Sequence, residues 1–232
     1  MEKFIPSFRG APWPDGSDPD APEASTRVLH VYAVPDLAVD RELAVLVGEC
    51  RAAMKGYPIL PADDVFLHLT LEVVSVGTSD TVTAEQRVSL VEALLVALAK
   101  VDAFTLDLGS PLAGRNGALM DVHPDAEVDA LHRVIRCAVQ NTVPSDFHYP
   151  VAPVHMSLGY SFADGSSDKL QSALRRIRPS HATMTVASVQ LVDVLFRQVP
   201  VGDGQQAWDL SWDHVATCRF SIPVANVDGV AC

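Results

Sequence analysis

The chain has 232 residues, 48% of them apolar and 20% charged, and a formal net charge of −12. That size and balance suit a soluble globular fold with one large core or two small ones. With 29 acidic against 17 basic residues and no long basic run, extended nucleic acid is a poor default ligand, because gripping a phosphate backbone takes clustered Lys and Arg.

The densest basic cluster, RRIR at 175–178, reads as a solvated helix end. No apolar run reaches the roughly 18 residues of a membrane span, and MEKFIPSFRGAPWPDG lacks a signal-peptide core, so a cytoplasmic protein away from membranes is expected. Cys50, Cys137, Cys218 and Cys232 are scattered without CxxC spacing and read as reduced thiols.

Residues 1–26, rich in Pro, Asp, Ser and Gly, read as a disordered or loosely packed tail, and 223–232 as a C-terminal tail. RVLHVYAV at 27–34 predicts a strand ended by Pro35. From Asp40, Leu43, Leu46, Val47, Cys50 and Met54 recur at helical spacing until Gly56 and Pro58 stop them. VFLHLTLEVVSV at 65–76 predicts a central strand. Thr83 and Gln86 form a capping-box pair ahead of Leu90, Val91, Leu94, Leu95 and Leu98, an amphipathic helix.

FTLDLGS at 104–110 and ALMDV at 118–122 predict paired strands, with an Asn-Gly turn signal between them. Pro124 opens a helix carrying Val128, Leu131, Val134, Ile135 and Ala138. VHMSLGYSF at 154–162 is a second strand with an internal histidine, followed by a short helix around 167–177. TMTVASVQLVDVLF at 183–196 and WDLSW at 208–212 predict a hairpin across the loop RQVPVGDGQQ. Two halves thus repeat the order of strand, helix, histidine strand, helix and strand. Tyr57-Pro58 precedes the first histidine strand and Tyr149-Pro150 the second. The expected architecture is α+β, a bilobal duplicated fold over 27–222, with two antiparallel-rich sheets facing a central cleft and helices outside.

Side chains two apart on a strand share a face. His68 and Thr70 therefore project together while Leu67, Leu69 and Leu71 point into the core; His155 and Ser157 repeat the arrangement against Val154, Met156 and Leu158. A lone histidine in an apolar strand is usually a satisfied structural residue. Two imidazole–hydroxyl pairs at equivalent places in two similar halves point instead to a site. His30, His123, His132, His148, His181 and His214 lack that context and receive no role.

His68-Leu69-Thr70-Leu71 and His155-Met156-Ser157-Leu158 resemble the paired His-x-Thr/Ser signatures of the 2H phosphoesterase superfamily. That group includes enzymes called 2′-5′ RNA ligases and 2′,3′-cyclic nucleotide phosphodiesterases. The resemblance covers about residues 27–212 in element order. It implies both motifs in one cleft and chemistry on a phosphodiester, often a 2′,3′-cyclic phosphate, without metal or cofactor. The partner it implies is a small cyclic nucleotide or an RNA terminus, and a monomer is expected.

Histidine suits acid and base roles because it titrates near neutrality, and Thr70 and Ser157 can donate to phosphate oxygens. By analogy, His155 is the expected base and His68 the expected acid. RNA-ligase-like members often carry a basic residue shortly after the second motif, where this chain has Tyr160. A flat strand turns Tyr160 into the core, the favoured position; a bulge at Gly159 would bring it into the cleft to stack on a base. Arg115, in the turn between lobes, and Arg197, in the last hairpin loop, are candidate phosphate contacts, and Tyr32 could line the cleft floor.

Three other readings stay open: a nucleotide-binding module without turnover, RNA ligation of long substrates, and a metal-dependent hydrolase built on His148, His155 and Asp146. The last lacks any HxH or HExxH spacing.

Overall fold

A computed structural model describes residues 3–4, 25–74, 78–143 and 153–221. The strands are β1 (Lys3–Phe4), β2 (Ser25–Ala33), β3 (Ile59–Pro61), β4 (Leu69–Val73), β5 (Phe104–Gly114), β6 (Gly117–His123), β7 (His155–Ser161), β8 (Gly165–Ser166), β9 (His181–Val186), β10 (Ser188–Gly202) and β11 (Gln205–Arg219). The helices are α1 (Arg41–Met54), α2 (Ala84–Leu98), α3 (Asp125–Thr142) and α4 (Asp168–Leu174). The α+β, bilobal reading holds. The strands β11-β10-β2-β4 form one lobe and β7-β6-β5-β9 the other, and β4 and β7 join them into one curled antiparallel sheet.

The lobes are not consecutive stretches of chain. β5, from the first half of the sequence, pairs with β6 and β9 in the second lobe, whereas β10 and β11, from the end, complete the first lobe against β2. Helices are exchanged as well. α1 packs on β9 and α4, and α3 packs on β4 and α2. Each exchanged helix has a polar anchor. An oxygen of Asp40, just before α1, accepts from the Thr185 amide of β9 at 3.1 Å, and Arg136 of α3 donates to Glu72 of β4 at 2.8 and 3.3 Å. Burial alone would raise the Glu72 carboxyl, but hydrogen bonds from His132 and Arg136 outweigh it and hold the group below its ordinary range.

The helices cover the convex face of the sheet. Leu43, Leu46, Leu90, Leu94 and Leu98 lose all exposure there against Leu29, Val31, Leu69, Met156 and Met184. Truncating any of these leucines to alanine costs about 2–5 kcal/mol. The Thr83–Gln86 capping box forms as expected, with reciprocal bonds of 2.9 and 3.2 Å. Of the expected apolar stripe, Leu95 instead faces solvent.

Three expectations change. The stretch 65–76 is not one strand: Asp64–Phe66 makes a 3₁₀ turn, His68 stands just ahead of β4, and residues 75–76 lie outside the described part. The stretch 183–196 is two strands broken at Ala187, where the chain leaves the edge of one lobe for the interior of the other's sheet. RQVPVGDGQQ is mostly strand, turning only at Asp203-Gly204. Apolar β-branched runs carry no mark of where a chain changes lobes, and alternation alone misses polar strand ends.

A short ladder between Lys3–Phe4 and Gly165–Ser166 ties the start of the chain to the second lobe. Tyr149-Pro150 lies outside the described residues. Among the described residues, no helix is long and apolar enough to cross a membrane.

Candidate active site

β4 and β7 meet at one residue pair, Leu69 opposite Met156. In an antiparallel ladder that register sets His68 across from Ser157 and Thr70 across from His155, all four on one face. The two histidines become diagonal neighbours, a relation that separates Cβ atoms by roughly 7–8 Å in a regular ladder. Each lobe's hydroxyl therefore stands beside the other lobe's imidazole. Leu69 and Met156 themselves are fully buried on the helix side, so the pair that joins the lobes also fixes which way the polar set faces.

Both strands carry a bulge just past their motif. β2 pairs Val31 with Glu72 and Tyr32 with Thr70, skipping Leu71. β6 pairs Ala118 with Gly159 and Leu119 with Ser157, skipping Leu158. The extra residue reverses the alternation. Glu72 is thereby sent to the helix side while Val73 faces the cleft; in the second lobe Tyr160 faces the cleft at the equivalent place. This corrects the flat-strand expectation for Tyr160, with the bulge at Leu158 rather than Gly159. Burial pushes the Tyr160 phenol up, partly offset by a hydrogen bond with the Ser157 side chain. Gly159 is required here for space: β3 crosses it, and a Cβ would stand 2.7 Å from Ile59 Cγ2 and from the Leu60 carbonyl oxygen.

The cleft between the lobes has a volume of about 610 Å³, within the range of small-molecule sites. His68, Thr70, His155, Ser157, Tyr160, Tyr32 and Arg115 all line it. Arg115 occupies the two-residue turn that Gly114 and Gly117 close, and Asn116 holds this turn against β7 by accepting from the Ser161 amide at 2.9 Å. Among the described residues no carboxylate lines the cleft, and Arg115 is its one arginine or lysine. In a chain of net charge −12, that makes the cleft a local refuge for an anion. Arg197 is elsewhere. It lies within β10 on the face opposite Phe196 and pairs with Asp209 at 2.9 Å.

The two histidines share a backbone tie and differ in everything else. Nδ1 of His68 donates to the Phe66 carbonyl at 2.9 Å, and Nδ1 of His155 to that of Pro153 at 3.1 Å. A carbonyl only accepts, so Nδ1 carries the proton of the neutral ring and Nε2 is left for the cleft. His68 is 7% exposed, stacked on Tyr32 at 4.0 Å and edge-on to Trp212 at 5.4 Å. Burial pulls its pKa down to about 4, against the hydrogen bond to Phe66 and with help from His30 and His155. His155 is exposed and pairs across the ladder with Asp121, which is 3.5 Å from His123.

Sequence reasoning missed His30. It lines the cleft from β2, 7% exposed, with its Nδ1 tied to the Val28 carbonyl at 3.0 Å. The available signal was its spacing: His30 and Tyr32 share a strand face. His148 and Asp146 lie outside the described residues, and no group of three or more metal-ligating side chains occurs among the described ones.

No protein-family model and no curated protein matches the sequence. The fold does have solved likenesses. A structure of E. coli LigT complexed with 3′-AMP is 13% identical, with a TM-score of 0.53 over 85% of this chain and 99% of that one. A protein of Thermus thermophilus is 14% identical, with a TM-score of 0.51 over 83% of this chain and 97% of its own. A structure described as a phosphoesterase is 14% identical, with a TM-score of 0.50 over 85% and 99%. The likeness is one of fold, and it spans nearly the whole of each of those chains.

Proposed function

We propose that this protein is a phosphodiesterase that opens 2′,3′-cyclic phosphates of nucleotides or RNA ends, using His68 and His155 as a general base and acid without a metal. The observation that carries the reading is the Leu69–Met156 pairing, whose register gives two imidazoles and two hydroxyls one cleft floor. The fold shared with a phosphoesterase and with LigT supports it.

A cyclic phosphate would sit over Thr70 and Ser157, whose hydroxyls donate to its non-bridging oxygens as charge develops. Arg115 lies at the rim for the same anion. A water attacks phosphorus, His68 Nε2 takes the water's proton, and His155 Nε2 gives a proton to the departing ribose oxygen. The ring is opened to a phosphomonoester, and a proton moves from His68 to solvent and from solvent to His155 to reset the pair. This assignment reverses the expectation drawn by analogy. A ring that burial keeps neutral can accept a proton at pH near 7, which leaves the acid to His155, the imidazole open to solvent.

The open wall of the second lobe argues for a short substrate. Asp121 and Asp107 share the concave face with His155 through the β6 ladder, and their charge repels a trailing polyanion. The test is product analysis with nucleoside 2′,3′-cyclic phosphates and with a short RNA ending in a cyclic phosphate, with and without EDTA. Ring-opened monoesters in both conditions support the reading. Binding without product would reduce the protein to a nucleotide-binding module, and loss of turnover with EDTA would overturn the metal-free mechanism.

A further inference from the structure

The cleft contains a third histidine that the phosphate chemistry leaves unused. His30 faces it between Val28 and Tyr32, and its Nδ1–H is committed to the Val28 carbonyl. Nε2 therefore presents a lone pair. Among the described residues no hydrogen bond to that nitrogen occurs; the ring lies 5.2 Å from that of Tyr32 and 6.0 Å from that of Phe196, with Val73 and Val192 as its cross-strand neighbours. Burial lowers the pKa of His30 to about 4, although the Val28 bond and the charges of Asp193 and Glu72 pull the other way. Both acids lie on the opposite face of the sheet, Asp193 with Arg87 and Glu72 with Arg136. Near neutral pH the ring is thus neutral, and Nε2, with Nδ1–H already donated to Val28, can only accept.

Its position gives that acceptor a purpose. Tyr32 stands between His30 and His68, within 5.2 Å of one ring and 4.0 Å of the other. A phosphate over Thr70 and Ser157 can extend the rest of its molecule along either wall. The second lobe offers the Arg115–Asn116 turn, Leu119 and Tyr160, with Asp121 and Asp107 beyond them along the same strand face; the first offers Tyr32, Val73, Phe196 and Leu210, an aromatic and aliphatic surface. A flat, uncharged heterocycle is favoured on the first, which carries two aromatic rings and no charge.

We infer that the first-lobe wall is a nucleobase subsite in which Nε2 of His30 accepts a hydrogen bond from an N–H on the base edge, making His30 a specificity-determining residue. A base without such a donor leaves the acceptor desolvated and unpaired, and that mismatch is what discriminates. The inference takes its phosphate anchor from the function proposed above.

The test compares matched substrates that differ by one donor: the 2′,3′-cyclic phosphates of adenosine and purine riboside, and of uridine and 3-methyluridine. The wild-type protein should favour the donor-bearing member of at least one pair by about tenfold or more in kcat/KM. His30→Phe, which keeps a ring and removes the acceptor, should erase that preference by slowing only the donor-bearing substrate. Equal rates within both pairs for the wild type would overturn the subsite, and this arm needs no variant to fold. So would a variant that slows all four substrates alike while melting like the wild type. If the wild type opens none of them, the phosphodiesterase reading falls by itself. Titration with the 3′-monophosphates of the same two pairs, which needs no turnover, then decides His30 separately: tighter binding of the donor-bearing member of at least one pair upholds it, and equal binding or none in both ends it.

Discussion

The first and second lobes carry the same short sequence device and treat it in opposite ways. His68 is enclosed by Tyr32 and Trp212, with Phe66 packed on Trp212 at 4.9 Å. His155 is open to solvent beside Asp121. Equivalent bulges then turn Val73 into the cleft on one side and Tyr160 on the other. The backbone is duplicated and the surroundings are not. A pair of identical imidazoles becomes a chemically distinct pair through what is packed around each, which is how one fold can supply an acid and a base together.

The sharpest break of this comparison is removal of each histidine in turn. His68→Ala and His155→Ala should each cut kcat/KM for a cyclic nucleotide by about a thousandfold, the middle of the range for general acid–base groups. Only His68→Ala should also lose stability, about 2 kcal/mol, because it empties a packed aromatic site. Urea unfolding of the two variants checks this, and equal losses would deny the asymmetry. Next come the hydroxyls. Thr70→Val and Ser157→Ala should each cost about a hundredfold in kcat. Near-wild-type kcat in both would remove them from the phosphate site.

Titration sharpens the comparison further. His68 has a folded pKa of about 4 against an unfolded value of about 6.5, so the unfolded chain binds the proton first. The stability this ring contributes is fully present above about pH 6.5 and declines as pH falls towards 4, by up to about 3 kcal/mol. His30, also drawn down to about 4, adds a similar dependence. Unfolding free energies at pH 7 and pH 5 should differ, and His68→Phe should flatten the slope. The smallest effect belongs to Tyr160→Phe. Losing the hydroxyl that bonds Ser157 should lower kcat by about two- to fivefold with little change in KM. A larger change in KM than in kcat would make Tyr160 a binding group instead.

Much of the fold was legible because its signals are local. The Leu43–Met54 stripe, the Thr83 cap and the alternation around His68 and His155 are each written within a few neighbouring residues. The pairing of the motifs in one cleft was legible from the element order. What stayed hidden was set by distant partners. The bulge that turns Tyr160 into the cleft depends on how β6 and β3 pack against β7, and no pattern within LGYS records it. The burial of His68 depends on Trp212, which lies 144 positions away in the chain. Arg197 looked like a loop cation because the polar end of a long hairpin resembles a loop; its strand and its Asp209 partner appear only in three dimensions.

The exchange of α1 and α3 across the lobes has a consequence for how a ligand gets in. Jaws that swing need a seam that few contacts cross, and here strands and helices are laced through that seam from both sides, with Asp40 and Glu72 as stitches. Ligands must enter a groove that is already shaped, with no clamshell opening ahead of them.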